Sequence, residues 1–217
     1  VADFREAGAD LPVEKRQRLE AIQGELAQLT QQYSEHVLDA TNSWEIVIRD
    51  ETRLKGIPQH AIDAAKRNAA AKGLSTAEAP AWRFTLHQPS QEPVMVYAAD
   101  EALRQSVWEG ATQIGATDKH DNRPLVPRIL ALRHEEAQLL GHAHFADQVL
   151  KRRMAGSGQC ALDFVSDLQA KATQAFVTEC DELEQFKARQ TGGEVGPLKA
   201  WEVSYWAEKL RQDRYDF

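Results

Sequence analysis

The stretch NRPLVPRILALRHEEAQLLGHAHFADQVL, residues 122–150, decides the fold class. From Pro124 onward Leu125, Ile129, Leu132, Leu139 and Leu140 recur at helical spacing, with Glu136 the one polar interruption. Asn122 is placed to cap the start, and Pro124 suits the first turn. Gly141 predicts a left-handed stop, after which Phe145 to Leu150 reads as a second short helix. Inside the first helix lies His134-Glu135-Glu136-Ala137-Gln138. A zinc peptidase helix carries two His four apart on one face, with the Glu beside the first as base. Position 138 is Gln, so the second ligand of that pattern is missing.

The flanking chain is helical in the same way. Leu19, Ile22, Leu26, Leu29, Tyr33, Val37 and Ala40 mark a long amphipathic helix from Leu11-Pro12-Val13 to about Asn42. Trp44 to Ile48 and Trp82 to Leu86 read as short strands able to pair, separated by an Ala-rich helix from Gln59 to Lys72 that Gly73 stops. Pro89 to Pro93 reads as a turn before a short helix, Val94 to Ala98. Asp100 then caps a helix whose face is Leu103, Val107, Ala111 and Ile114. Ser157 is a candidate cap for a long helix over about Gln159 to Arg189, with Ala161, Val165, Leu168, Ala172, Phe176, Cys180 and Leu183 on one face. A last helix begins near Ala200-Trp201-Glu202. The fold expected is mainly α, long antiparallel helices with one small strand pair. Residues 1–217 read as one helical chain with approximate breaks at 73–81, 115–123 and 190–198.

Composition narrows the function. The 217 residues are 42% hydrophobic and 27% charged with a formal net charge of −7, which argues against nucleic acid as a partner. No apolar run is long enough for a membrane span. Cys160 and Cys180, twenty positions apart on one expected helix, lie roughly 30 Å apart and cannot bridge each other. Two unpaired thiols point to a reducing compartment, and hence a cytoplasmic location. The chain starts at Val1 without a signal-like segment and looks cut from something longer.

Spacing alone assembles no catalytic or metal site. His142 and His144 are two apart and do not share a helix face. His120 with Asp118 and Asp121, and the separate His36, His60 and His87, offer no ligand pattern, so these read as surface or capping residues. Glu135 and Glu136 point about 100° apart, which fits a solvated face salted by Arg133 and Arg128 rather than an acid–base pair. Trp201, Tyr205 and Trp206 have ordinary spacing for a packed helix face. No Gly-rich phosphate loop, Gly-x-Ser-x-Gly elbow or Cys-x-x-Cys is present.

Four segments together, in order, resemble the thimet oligopeptidase family of zinc metallopeptidases, and its bacterial oligopeptidase A branch in particular. They are FREAGADLPVEKRQRLEAIQGELAQLTQQYSEHVLDATNSW (4–44), QPSQEPVMVYAADEALR (88–104), DNRPLVPRILALRHEEAQLLGHAHFADQVLKRRMA (121–155) and AWEVSYWAEKLRQDRY (200–215). The last is similar to the family's Trp-Asp-x-x-Tyr-Tyr block, with Glu202 in place of the usual Asp and Trp206 where Tyr is common. The resemblance implies a parent enzyme that binds one zinc and cleaves short peptides in a channel between helical halves. It also implies that Leu132-Arg133-His134-Glu135 is scaffold, the true His-Glu-x-x-His lying downstream. No catalytic, cofactor-binding or metal residue is therefore carried over. The expectation is an inactive scaffold fragment without its catalytic half, binding no zinc itself, with Trp201, Tyr205 and Trp206 losing partners and an apolar patch open to self-association. A self-contained helical protein-binding module is the alternative.

Overall fold

A computed structural model gives the fold; it describes Phe4 and residues 6–215, the side chain of Asp118 excepted. Arg5 and Phe217 thus lie outside the described residues. In chain order the elements are α1 (Val13–Ser43), β1 (Glu45–Ile48), α2 (Gln59–Ala71), β2 (Trp82–Thr85), α3 (Gln88–Tyr97), α4 (Glu101–Thr112), α5 (Leu125–Leu139), α6 (Phe145–Leu150), α7 (Gly158–Thr191) and α8 (Val203–Arg214). Short 3₁₀ turns cover Glu51–Leu54 and Asp118–His120. The chain is mainly helical with one strand pair, as its periodicity predicts.

Two compact units divide it. One takes the chain up to Val37 together with Asp118–Gln174; the other takes Leu38–Thr117 and the chain from Ala175 on. Two of the three boundaries fall inside α1 and α7, and the third lies between α4 and α5.

In the first unit α1 and α5 run antiparallel, because their paired residues ascend on one and descend on the other. Arg18 joins Glu135, Glu25 joins Arg128, and Tyr33 and His36 meet Asn122. Leu19 and Ile22 of α1, and Ile129, Leu132 and Ala137 of α5, are buried. Gly141 ends α5 at φ +82°. Its N–H donates to Gln138 O at 3.1 Å and that of His142 to Ala137 O at 2.8 Å, the paired bonds of a Schellman stop.

In the second unit the strands pair antiparallel with Ile46 opposite Phe84 and Ile48 opposite Trp82. A two-stranded ribbon is marginal alone and needs cover. α2 and α3 supply it, and α3 also packs on α4 and α8. Ile48, Leu54, Ile57, Trp82, Phe84, Val94, Leu103 and Val107 form the core. Gly56 sits at φ +91°, and a Cβ there would come within 2.3 Å of Tyr97 O, so the loop before α2 abuts the end of α3 backbone to backbone.

Three expectations are corrected. α3 starts at Gln88 rather than Val94, so the two-proline stretch is already helical. Pro89 falls in the first turn, where no donor is required, and burial of Val94 outweighs the bond lost at Pro93. Asn122 is not a cap: α5 has no side-chain cap at its start, and the Asn122 side chain turns inward to α1. The expected apolar face of α7 does not bury. Ser157 does cap α7, accepting from Cys160 N at 3.2 Å, but Leu162, Phe164, Val165, Leu168 and Phe176 stay 48–66% exposed.

Candidate functional site

The zinc-like stretch lies on α5, and its neighbours decide its chemistry. Glu135 accepts from Nε and Nη2 of Arg18, both at 2.6 Å, a two-pronged pair that holds the Glu135 carboxyl below its ordinary range through the hydrogen bonds with Arg18. Gln138, in the place of the second histidine, donates its amide to His134 Nε2 at 3.0 Å. Glu136 is buried and accepts from Gln23 Nε2 at 3.2 Å. The expected partners of the two glutamates are corrected accordingly. Arg128 pairs with Glu25 and Arg133 lies over the Phe145 ring, while Arg18 and Gln23 of α1 take their places.

The other histidines do not converge on this point. His142 follows the Schellman stop and His144 precedes α6. His36 donates through Nδ1 to Asn122 Oδ1 at 2.8 Å, and the Asn122 amide donates to Tyr33 O at 3.1 Å. His120 stands edge-on to His36 with ring centroids 5.9 Å apart. Asp121 binds Arg123 through its backbone and guanidinium, which lowers its pKa to about 2. Among the described residues no group of three or more His, Cys, Asp or Glu could hold a metal. The described residues therefore do not fit a zinc site. Cys160 is exposed and Cys180 half-buried, and both are free thiols.

The second unit carries a buried polar cluster at the start of α8. Glu202 is 2% exposed and accepts from Lys187 Nζ on both oxygens at 2.8 Å, and from Lys199 N at 2.9 Å. Arg104, also 2% exposed, donates to Ala98 O at 2.6 Å and Trp201 O at 3.1 Å, with its guanidinium 4.2 Å from the Tyr205 ring centre. Trp201 stacks near Trp108, and Trp206 meets Phe186 edge-on. All three aromatics have ring partners within this chain, while the buried Trp206 Nε1 has no hydrogen-bond partner among the described residues. This cluster ties the start of α8 to α4, to the end of α3 and to α7. Its polar groups are spent on one another and on the backbone: Glu202 on Lys187 and Lys199, and Arg104 on two carbonyls.

The sequence profile of peptidase family M3 matches residues 94–217, more than half of the chain. The chain belongs to peptidase family M3. Oligopeptidase A of Salmonella typhimurium is 40% identical over 98% of this chain and 31% of its own length. Oligopeptidase A of Escherichia coli is 39% identical over the same shares. Dipeptidyl carboxypeptidase of Escherichia coli is 28% identical over 97% of this chain and 30% of its own. The chain spans about a third of the length of the curated relatives it matches. The M3 match takes in the Arg104–Glu202 cluster and the whole of α5.

Sequence reasoning missed the roles of Arg18 and Asn122. Arg18 meets Glu135 across 117 positions, a pairing that no local pattern encodes. Arg104 left a faint signal, a cation one position from Leu103 on a helix face otherwise reading as core.

Proposed function

We propose that this chain supplies helical scaffold to a zinc-dependent M3 endopeptidase of the oligopeptidase A type, which hydrolyses short peptides. On this reading residues 1–217 form part of one helical peptidase chain, inactive alone. The metal ligands then belong to the part of such a chain outside the third that is matched here, and the location is cytoplasmic. The observation that carries the reading is the commitment of Glu135 to Arg18 and of His134 to Gln138, within a chain that aligns from end to end with oligopeptidases. A quenched short peptide, incubated with this chain with and without chelator, tests it. The expected result is no cleavage; chelator-sensitive turnover by the 217-residue chain alone would overturn the reading.

A helical protein-binding module without enzymatic activity is the second reading, favoured by the exposed apolar residues of α7. The same residues motivate self-association as an expectation for the isolated chain. Light scattering across a concentration series and binding of a hydrophobic dye read this out. A strictly monomeric species that leaves the dye dark would remove it.

A further inference from the structure

We propose that the cavity beside α2 in the second unit binds a small oxyanion, either a carboxylate or a phosphate. The cavity measures about 450 Å³, and its polar lining includes Asn68, Lys72, Arg83, Thr85, His87 and Ser90 over a floor of α2 alanines. No Asp or Glu lines it, in a chain whose net charge is −7.

Charge and hydrogen bonding both favour an acceptor here. Glu45 Oε2 takes Lys72 Nζ at 2.7 Å and Arg83 Nε at 2.6 Å, so two cations share one carboxylate and one positive charge remains in excess. The Arg83 side chain is only 13% exposed, yet its two Nη groups have no protein acceptor among the described residues. A guanidinium fork with both prongs free matches the oxygens of a carboxylate or phosphate. Ser90 Oγ accepts from Thr85 N at 2.9 Å, which leaves its own proton for a further partner. α3 begins at the rim without a side-chain cap, and the positive end of its dipole adds to the field. The small alanines leave room for the anion with several waters, and the limited volume excludes a nucleic acid.

Amide-resolved NMR on the 217-residue chain tests the proposal. Inorganic phosphate, acetate, and an acetylated tripeptide as free acid or as amide are titrated against chloride at equal ionic strength. The expected result is saturable shifts at the amides of Asn68, Arg83, Thr85 and Ser90. Saturation by phosphate alone assigns a free phosphate, and saturation by acetate and the free-acid peptide assigns a carboxylate. Asn68 is exposed and makes no hydrogen bond that the fold needs, so Asn68→Asp is expected to weaken binding about tenfold by repulsion. Ala64→Leu fills the cavity at constant charge and is expected to abolish saturation, with the shifts of α4 and α8, in the same unit but away from the cavity, unchanged as the check on folding. Shifts that stay linear and match those of chloride would overturn the site. So would amide peptide binding as tightly as the acid, or both variants binding like the parent. None of these outcomes depends on peptide hydrolysis, so the peptidase reading can fail while this one stands.

Discussion

Removing the Glu202 carboxylate measures how much of the second unit rests on one buried charge pair. Its side chain is 3% exposed, that of Lys187 is 27% exposed, and both carboxylate oxygens lie 2.8 Å from Nζ. Glu202→Ala strips Lys187 of both acceptors and leaves the Lys199 N–H unpaired. Breaking a buried pair from one side costs about 3–5 kcal/mol. Lys187 retains a path to water, so the lower end, about 3 kcal/mol, is expected. In a chain of this length that lowers the melting midpoint by about 6–12 °C, read by circular dichroism. The control is the double variant Glu202→Ala with Lys187→Met, which removes both charges of the pair. Its cost is expected to fall short of the summed single variants by about 2 kcal/mol. A loss below about 1 kcal/mol for Glu202→Ala, or strict additivity in the double variant, would refute the pair as a determinant of stability. Glu202→Asp keeps the charge. It shortens the reach by one methylene and gives up one of the two contacts, at a cost of about 1 kcal/mol.

Three further outcomes follow from the geometry. Arg104→Met orphans the carbonyls of Ala98 and Trp201, with an expected cost of about 2–4 kcal/mol in a urea titration, and little change would mean that water replaces the guanidinium. Asp121 is held low by its hydrogen bonds to Arg123, so its contribution to stability is present above the unfolded value of 3.8 and is lost as pH falls toward about 2. Carboxyl-carbon NMR is expected to find its midpoint near 2, and Arg123→Gln should return it toward 3.8. Gly56→Ala drives a Cβ into Tyr97 O at φ +91° and is expected to cost clearly more than Gly73→Ala, which at φ +70° carries the backbone strain, about 1 kcal/mol, but meets no atom within 4 Å.

What was legible in the chain was local. Gly141 foretold its stop because only a residue free to take positive φ closes a Schellman turn cheaply. The strand pair was legible from the β-branched run and the alternation of Trp82 and Phe84. Asn122 misled because a capping Asn and a bridging Asn look identical in sequence, and His36 lies 86 positions away. Pro89 and Pro93 misled because their intrinsic cost is visible whereas the packing of Val94 is not. Periodicity located the apolar face of α7 but carries no information about what covers it. The near-zinc pattern on α5 was legible as incomplete from Gln138 alone, and the fate of Glu135 became visible only with Arg18 beside it.

Ala61, Ala65 and Ala69 are buried on one side of α2, where it lies against β2. Four-residue spacing stacks them as a ridge without a rotatable bond, so this face loses no side-chain entropy when it docks. Its tolerance to change is accordingly lopsided. Trimming to Gly costs only helix propensity, about 1 kcal/mol each, whereas any branch added at Ala69 has to push helix and strand apart. A saturation mutational scan should therefore show its narrowest column at Ala69, accepting Gly or Ser and rejecting Val, Leu and Phe, with Ala61 and Ala65, which also line the cavity, more permissive, and broad columns at exposed Lys66 and Arg67. Selection on this helix acts chiefly through an upper limit on size, and the ridge would drift toward smaller residues before larger ones.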